Sequence, residues 1–281
     1  MEKLFVNNNG EVLENDGHTL CAGNRGHLYG DGLFESIRAI HGKPINMEAH
    51  IARMLDGMRV LKMNIPTYFT VEFFIEKMEE LLQKSEIKGG GKVRLSVDRI
   101  SGGTYKPSSN EVDYFIEVYP LPTNEFMLNE KGIEVDLYTA IHKEKTPFSN
   151  YKVKNALLNV MASIEASERN LGDVLLTNNR GGILEATGSN IFVVGNGILY
   201  TPGLEENCVG GTMRMLLINI ALQNNIRVYE SPLTPQNLLI ADEVFLTNAI
   251  QGITWVGGYR TRRYMNTTSV RLLQLLNEQF G

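Results

Sequence analysis

Three groups of residues in this 281-residue chain have the types and spacing to do chemistry. Glu185 ends the run Ile183-Leu-Glu185 and opens a polar turn, Ala186-Thr-Gly-Ser-Asn190, before Ile191-Phe192. A carboxylate there can hold a proton on a neighbouring basic nitrogen, because an adjacent negative charge stabilises the protonated form. Gly210-Gly211-Thr212 immediately precedes a helix read from Met213 to Gln223. A helix start presents unpaired amides and the positive end of the dipole, and glycine lets an anion come close. Lys152, in Asn150-Tyr-Lys-Val-Lys-Asn155, stands just ahead of another helix, at an element edge from which an amine can enter a cleft. Each group also has a plain structural explanation: an outward-facing strand carboxylate, a glycine turn, a solvated lysine. Lys154, two residues on, is a rival amine facing a different direction.

Composition narrows what these groups could serve. Hydrophobic residues at 43% and charged residues at 21% are the balance of a folded domain, which argues against disorder. A formal charge of −5 argues against a nucleic-acid partner, which needs clustered positive charge. The apolar runs are far shorter than a bilayer span, and Met1-Glu-Lys-Leu4 reads as the approach to a strand rather than a signal peptide. Two cysteines, Cys21 and Cys208, cannot build a disulfide framework, which fits a reducing, cytoplasmic setting. Gly89-Gly-Gly-Lys92 is a turn before a strand and not a phosphate-binding P-loop. No Gly-x-Ser-x-Gly elbow, no Cys-x-x-Cys pair and no metal-spaced histidines occur.

The elements that must position these groups follow from periodicity. A hairpin around Asn9-Gly10 comes first, then a glycine-studded stretch from Gly23 to Gly32 and a strand over Leu33–Ile40. Two helices follow, one carrying Ile51, Met54, Leu55, Met58 and Leu61, the other Val71, Phe74, Ile75, Met78, Leu81 and Leu82. Val93–Val97 and Tyr114–Val118 pair around a Ser101-Gly-Gly103 loop. Pro120–Glu125, with two prolines in three residues, suits a linker. Beyond it come a strand over Gly132–Ile141 and a helix over Ala156–Asn170, with Ala156, Leu157, Val160, Met161 and Ile164 on one face. A meander over residues 173–200, a strand at Glu243–Thr247 and a closing helix at Ser269–Gln279 complete the chain. Strand runs with segregated helices indicate an α+β chain, divided into 1–119, a linker at 120–125, and 126–281.

The octet Glu185-Ala-Thr-Gly-Ser-Asn-Ile-Phe192, Lys152-x-x-Asn155 before a helix, and Gly211-Thr-Met-Arg214 resemble the signatures of class IV aminotransferases, the fold-type IV pyridoxal-phosphate enzymes. The resemblance spans nearly the whole chain and is strongest between Lys152 and Val256. It implies two α+β domains with pyridoxal 5′-phosphate in the cleft between them, and a homodimer whose partner loops close the substrate pocket. It also implies roles: Lys152 as cofactor tether and base, Glu185 as partner of the ring nitrogen, and Ser189 and Asn190 as cofactor-side hydrogen-bonding groups. Gly211-Thr212 and Asn248-Ala249 would be the two phosphate turns, with Thr212 where the family has an aliphatic residue. His50-Ile-Ala-Arg53 resembles the family's His-x-x-Arg, which makes Arg53 a phosphate ligand. Tyr29 and Arg38 match positions on the substrate side.

Two reactions fit this resemblance. One is transamination between an amino acid of branched-chain type and a 2-oxo acid. The other is cleavage of 4-amino-4-deoxychorismate to pyruvate and 4-aminobenzoate, because aminodeoxychorismate lyases look like this chain at Arg99–Gly103, Gly211–Arg214 and Ala241–Ala249. Those lyases carry an arginine just after the Gly-Gly pair to meet a substrate carboxylate; Thr104-Tyr105 stand there in this chain. Phe34-Glu35-Ser36 is closer to aminotransferase wording. The Arg-x-His pair of D-amino-acid aminotransferases is absent after the Val93 strand. Branched-chain enzymes share the Tyr29–Arg38 wording but place a different segment after the lysine. A catalytically silent binding module is the third possibility, and the intact Lys152 and Glu185 argue against it.

Overall fold

The structure, a computed structural model, describes residues 3–17 and 22–280; Cys21 lies outside the described residues. The chain divides into two units: residues up to Glu125 together with Tyr151–Ala156, and Phe126–Asn150 together with residues from Leu157 onward.

The first unit contains β1 (Phe5–Asn8), β2 (Glu11–Glu14), a short α1 (Arg25–Tyr29), β3 (Gly32–Ile40), β4 (Lys43–Pro44), α2 (Met47–Val60), α3 (Val71–Lys84), β5 (Gly91–Arg99) and β6 (Val112–Pro120). Its strands form one antiparallel sheet in the order β2-β1-β6-β5-β3-β4. Asn9 and Gly10 both adopt positive φ, as a tight two-residue hairpin requires, so β1 turns directly into β2. Thr70 caps α3 by accepting the Phe73 N–H at 3.1 Å. Leu33, Ile37 and Ala39, alternating along β3, are buried with Ile51, Met54 and Met58 of α2 and Phe74, Met78 and Leu81 of α3. The period-2 row of the strand meets the period-3.6 stripes of the helices. Glu35 belongs to the same row, so its carboxylate is drawn into the core-facing side.

Pro120–Glu125 is not a free linker. Leu121 N–H donates to Gly90 O at 2.8 Å, and Arg38 Nη2 donates to Thr123 O and Glu125 O, each at 2.7 Å. Tyr151–Ala156 likewise departs from the expected boundary, which gave Lys152 to the C-terminal domain. Phe34 N–H donates to Lys152 O and Lys154 N–H to Gly32 O, both at 2.9 Å, so the segment adds to the margin of β3. Proline spacing marked where helix and strand must stop, but not which backbone the following residues would pair with.

The second unit contains β7 (Ile133–Tyr138), α4 (Leu157–Glu168), β8 (Asp173–Thr177), β9 (Ile183–Ala186), β10 (Asn190–Gly195), β11 (Ile198–Thr201), α5 (Thr212–Gln223), β12 (Val228–Glu230), α6 (Pro235–Ile240), β13 (Glu243–Asn248), β14 (Gly252–Tyr259), β15 (Arg262–Arg263) and α7 (Thr267–Phe280). The strand order is β12-β11-β10-β13-β14-β7-β8-β9, with β15 on β14. β7 and β8 are parallel, which requires a long crossover, and that crossover carries residues 139–156 and α4. Residues 173–200 are therefore two hairpins rather than one meander: β9 pairs with β8, while β10 pairs with β11 and β13. Phe192 and Phe245, register partners on β10 and β13, stack at 5.1 Å in the core.

The apolar face expected on α4 is outward in the single chain. Leu157 is 68% and Val160 51% exposed, with Met161 and Ile164 also exposed, and it is Ala162 and Ala166 that are buried. Small residues bring this helix close to β8, so its larger side chains are turned away. No helix among the described residues is long and apolar enough to cross a membrane.

Candidate active site

In the first unit Lys152 lies against β3. Its ammonium is 4.5 Å from the centre of the Phe34 ring, and the Arg94 guanidinium is 4.1 Å from the same ring. Two cations therefore lie at one aromatic ring, and Arg94 Nε also stands 3.8 Å from the Glu117 carboxylate. Arg94 escaped the sequence reading; β5 pairs it with Ser36, and its alternation with the buried Val93 and Leu95 was the available signal. Lys154 is fixed elsewhere, with its ammonium 2.6 Å from the buried carboxylate of Asp98. Gly32 makes room for that carboxylate, since a Cβ at residue 32 would lie 2.1 Å from Asp98 Oδ1. Of the two rival lysines, Lys154 is the one held in an ion pair with Asp98.

Behind Phe34, Glu35 meets two residues of α2. His50 Nδ1 is 2.7 Å from Glu35 Oε2, and Arg53 donates from Nε to Oε1 at 2.9 Å and from Nη2 to Oε2. His50 and Arg53 are three residues apart, hence on one helix face. Burial by itself would raise the Glu35 carboxyl, but the Arg53 guanidinium and the His50 hydrogen bond hold it down at about 2. Burial lowers the His50 imidazole, with the positive charges of Arg53 and Lys152 acting in the same direction. A neutral imidazole that donates from Nδ1 to a carboxylate satisfies both shifts.

The substrate-side residues separate. Tyr29 ends α1, and its ring lies tilted against that of the 91%-exposed Tyr105, 5.7 Å between ring centres. Arg25 organises them: its guanidinium lies 4.8 Å from the Tyr29 ring, donates to Gly102 O at 3.0 Å and Thr104 O at 2.6 Å, and pairs with Asp31 at 2.8 Å. Tyr29, Thr104 and Tyr105 are thus gathered by a residue that the sequence reading passed over. Arg38 is not with them. It lies four residues beyond Phe34, roughly 13 Å along the strand, and is committed to the carbonyls of Thr123 and Glu125. That correction has a simple cause: the position alternates onto the right face but at the wrong end of β3.

In the second unit Glu185 is buried at the end of β9. Its Oε2 accepts Val209 N–H at 2.7 Å, and its Oε1 is 2.5 Å from Lys143 Nζ. Asn190 donates from Nδ2 to Val209 O at 2.8 Å, which ties the start of β10 to the approach of α5. Gly211 is the N-cap of α5 and brings no side chain of its own to cap it. A Cβ at residue 211 would fall 1.9 Å from Asn190 Oδ1. Asn248 donates to Ser189 Oγ at 3.0 Å, and its Oδ1 accepts the N–H groups of Ile250 and Gln251 at 3.0 and 2.8 Å. Glu185, Ser189, Asn190, Gly211, Thr212 and the Asn248-Ala249 turn are therefore one connected neighbourhood. Cys208 lies in it too, its thiol pushed up to about 12 by burial and then by the Glu185 charge.

Within the second unit, a buried carboxylate of the kind that can face a ring nitrogen and a helix N-terminus behind glycine of the kind that can face a phosphate lie in one neighbourhood. Within the first unit, an amine lies beside an aromatic ring. Among the described residues no cluster of His, Cys, Asp or Glu could hold a metal ion.

Comparison with known proteins agrees. The model of the family described as amino-transferase class IV matches residues 32–258. The chain is 31% identical to a putative branched-chain-amino-acid aminotransferase of Methanocaldococcus jannaschii, over 99% of this chain and 95% of the relative. It is 26% identical to an aminodeoxychorismate lyase of Vibrio harveyi, over 84% of this chain and 86% of the relative. An aminotransferase from Brucella abortus, solved with its cofactor pyridoxal phosphate, superposes with a TM-score of 0.87 at 22% identity, covering 99% of each chain. The enzymes of this family depend on pyridoxal 5′-phosphate. The chain belongs to the class IV aminotransferase family, with the α+β fold of the fold-type IV enzymes.

Proposed function

We propose that the protein is a transaminase moving an amino group between an aliphatic amino acid and a 2-oxo acid. The observation that carries this is the pair of cations on Phe34: an amine at Lys152, and at Arg94 a guanidinium suited to a carboxylate. When bound, pyridoxal phosphate supplies an electron sink for a carbanion next to the amino group. Lys152 would hold it through its amine, and the same amine would be the base for the substrate's α-proton. Glu185 would keep the ring nitrogen protonated, and the Gly211-Thr212 and Asn248-Ala249 turns would hold the phosphate through backbone N–H groups. Arg53, positioned by Glu35 and His50, would add charge for the phosphate. Tyr29, Thr104 and Tyr105 border the substrate, gathered by Arg25.

Aminodeoxychorismate cleavage is the second reading, favoured by the Gly102-Gly103 loop and by the Vibrio harveyi relative. The residues after that glycine pair speak against it, since neither Thr104 nor Tyr105 is cationic. Two assays separate the readings. Acceptor-dependent amine transfer from a panel of amino acids to 2-oxoglutarate is expected, and pyruvate release from aminodeoxychorismate without acceptor would overturn the transaminase. Borohydride should fix the yellow chromophore to Lys152; a colourless protein would sink both enzymes.

The exposed row Leu157, Val160, Met161 and Ile164 on α4 supports a homodimer, in which a second copy covers it. Light scattering should give twice the chain mass, and Val160→Glu should return the single-chain mass.

A further inference from the structure

Lys143 has no part in the roles given above, yet it makes the shortest contact of Glu185, 2.5 Å from Nζ to Oε1. It comes from the crossover after β7. There its backbone N–H donates to Thr177 O at 2.9 Å, at the end of β8, and its ammonium also reaches Ser149 O at 3.3 Å. The side chain is only 16% exposed, so the cation is held in place at both ends. Val209 N–H occupies the other carboxylate oxygen. A carboxylate has about four acceptor positions, so these two donors leave room for a third.

We propose that Lys143 is a positioning residue that sets how firmly Glu185 holds the proton on the cofactor's ring nitrogen. This rests on the assignment of Glu185 to that nitrogen. A ring proton beside Glu185 feels an ion pair rather than a lone anion. The ammonium cancels part of the attraction, and burial keeps water from screening it. The ring is thereby held less strongly cationic than Glu185 alone would make it, which moderates its pull on electrons. Were Lys143 present only to make a buried carboxylate tolerable, its loss would lower stability and leave the ring nitrogen unchanged.

The test is the 15N resonance of ring-labelled pyridoxal phosphate in the intact holoprotein, followed across the stable pH range, beside melting curves of the apoproteins. In Lys143→Gln the ring proton should be held about tenfold more tightly, so the resonance lies nearer its protonated position or keeps that position to higher pH. Lys143→Arg should reproduce the wild type. A Lys143→Gln resonance superimposed on the wild type overturns the proposal, whatever happens to the melting temperature. Glu185→Gln separates the two assignments, because it should move the resonance toward the unprotonated position. If it does not, the Glu185 assignment fails, and with it the basis of the Lys143 role. Should Lys143→Gln not fold, Nε-acetyl-lysine introduced at residue 143 removes the charge while keeping the stem, and the same outcomes apply.

Discussion

Glu35 of β3 is clasped by Arg53 of α2, which donates from Nε at 2.9 Å and from Nη2, eighteen residues away in sequence. The strand that carries Phe34 toward Lys152 and the helix that carries Arg53 are joined through this one carboxylate. His50 completes the group from the same helix face.

Removing the buried carboxylate breaks its pairing with Arg53 and His50, so Glu35→Gln should cost roughly 3 kcal/mol in urea unfolding at pH 7. The pH dependence has a defined sign. Because the folded-state value is lowered to about 2, the stabilisation is complete above the usual carboxylate value of 4.5 and is lost as pH falls from there toward 2. Stability curves of wild type and Glu35→Gln should converge through that window; parallel curves would refute the pairing.

Lys152 acts on His50 through its charge. Lys152→Ala should therefore raise the midpoint of the His50 imidazole in an NMR titration of the apoprotein, while burial still keeps it below the usual histidine value. An unchanged midpoint would mean that the ammonium does not lie where the Phe34 contact places it.

Gly211→Ala sets a methyl against Asn190 Oδ1 and should displace that side chain from Val209 O. The expected results are a loss of about 1–3 kcal/mol in stability and at least about tenfold weaker pyridoxal phosphate binding in a fluorescence titration. Full affinity with normal stability would show that the turn does not need glycine.

The Cys208 thiol, pushed up to about 12 by burial and by Glu185, should resist disulfide reagents at pH 8. Mass analysis of its peptide should show no modification in the native protein and complete modification in urea. Rapid native labelling would contradict its burial between the carbonyls of Pro202 and Gly203.

Sequence by itself made the longer helices, the first hairpin and the grouping of the second unit's candidate residues legible. Residue periodicity marks α2 and α3, and the Asn9-Gly10 hairpin needs only local φ preferences. Glu185, Ser189, Asn190 and Gly211 could be grouped in advance because they lie within one-tenth of the chain, where short turns fix their neighbours. Tertiary structure decided everything that depends on pairing between distant segments. It gave Lys152 to the edge of β3, placed Lys154 on Asp98, drew Arg38 to the carbonyls after β6, and joined Lys143 to Glu185. The physical reason is that periodicity names the face a side chain takes but not the partner that face meets. A buried charge takes its partner from whichever element packs against it.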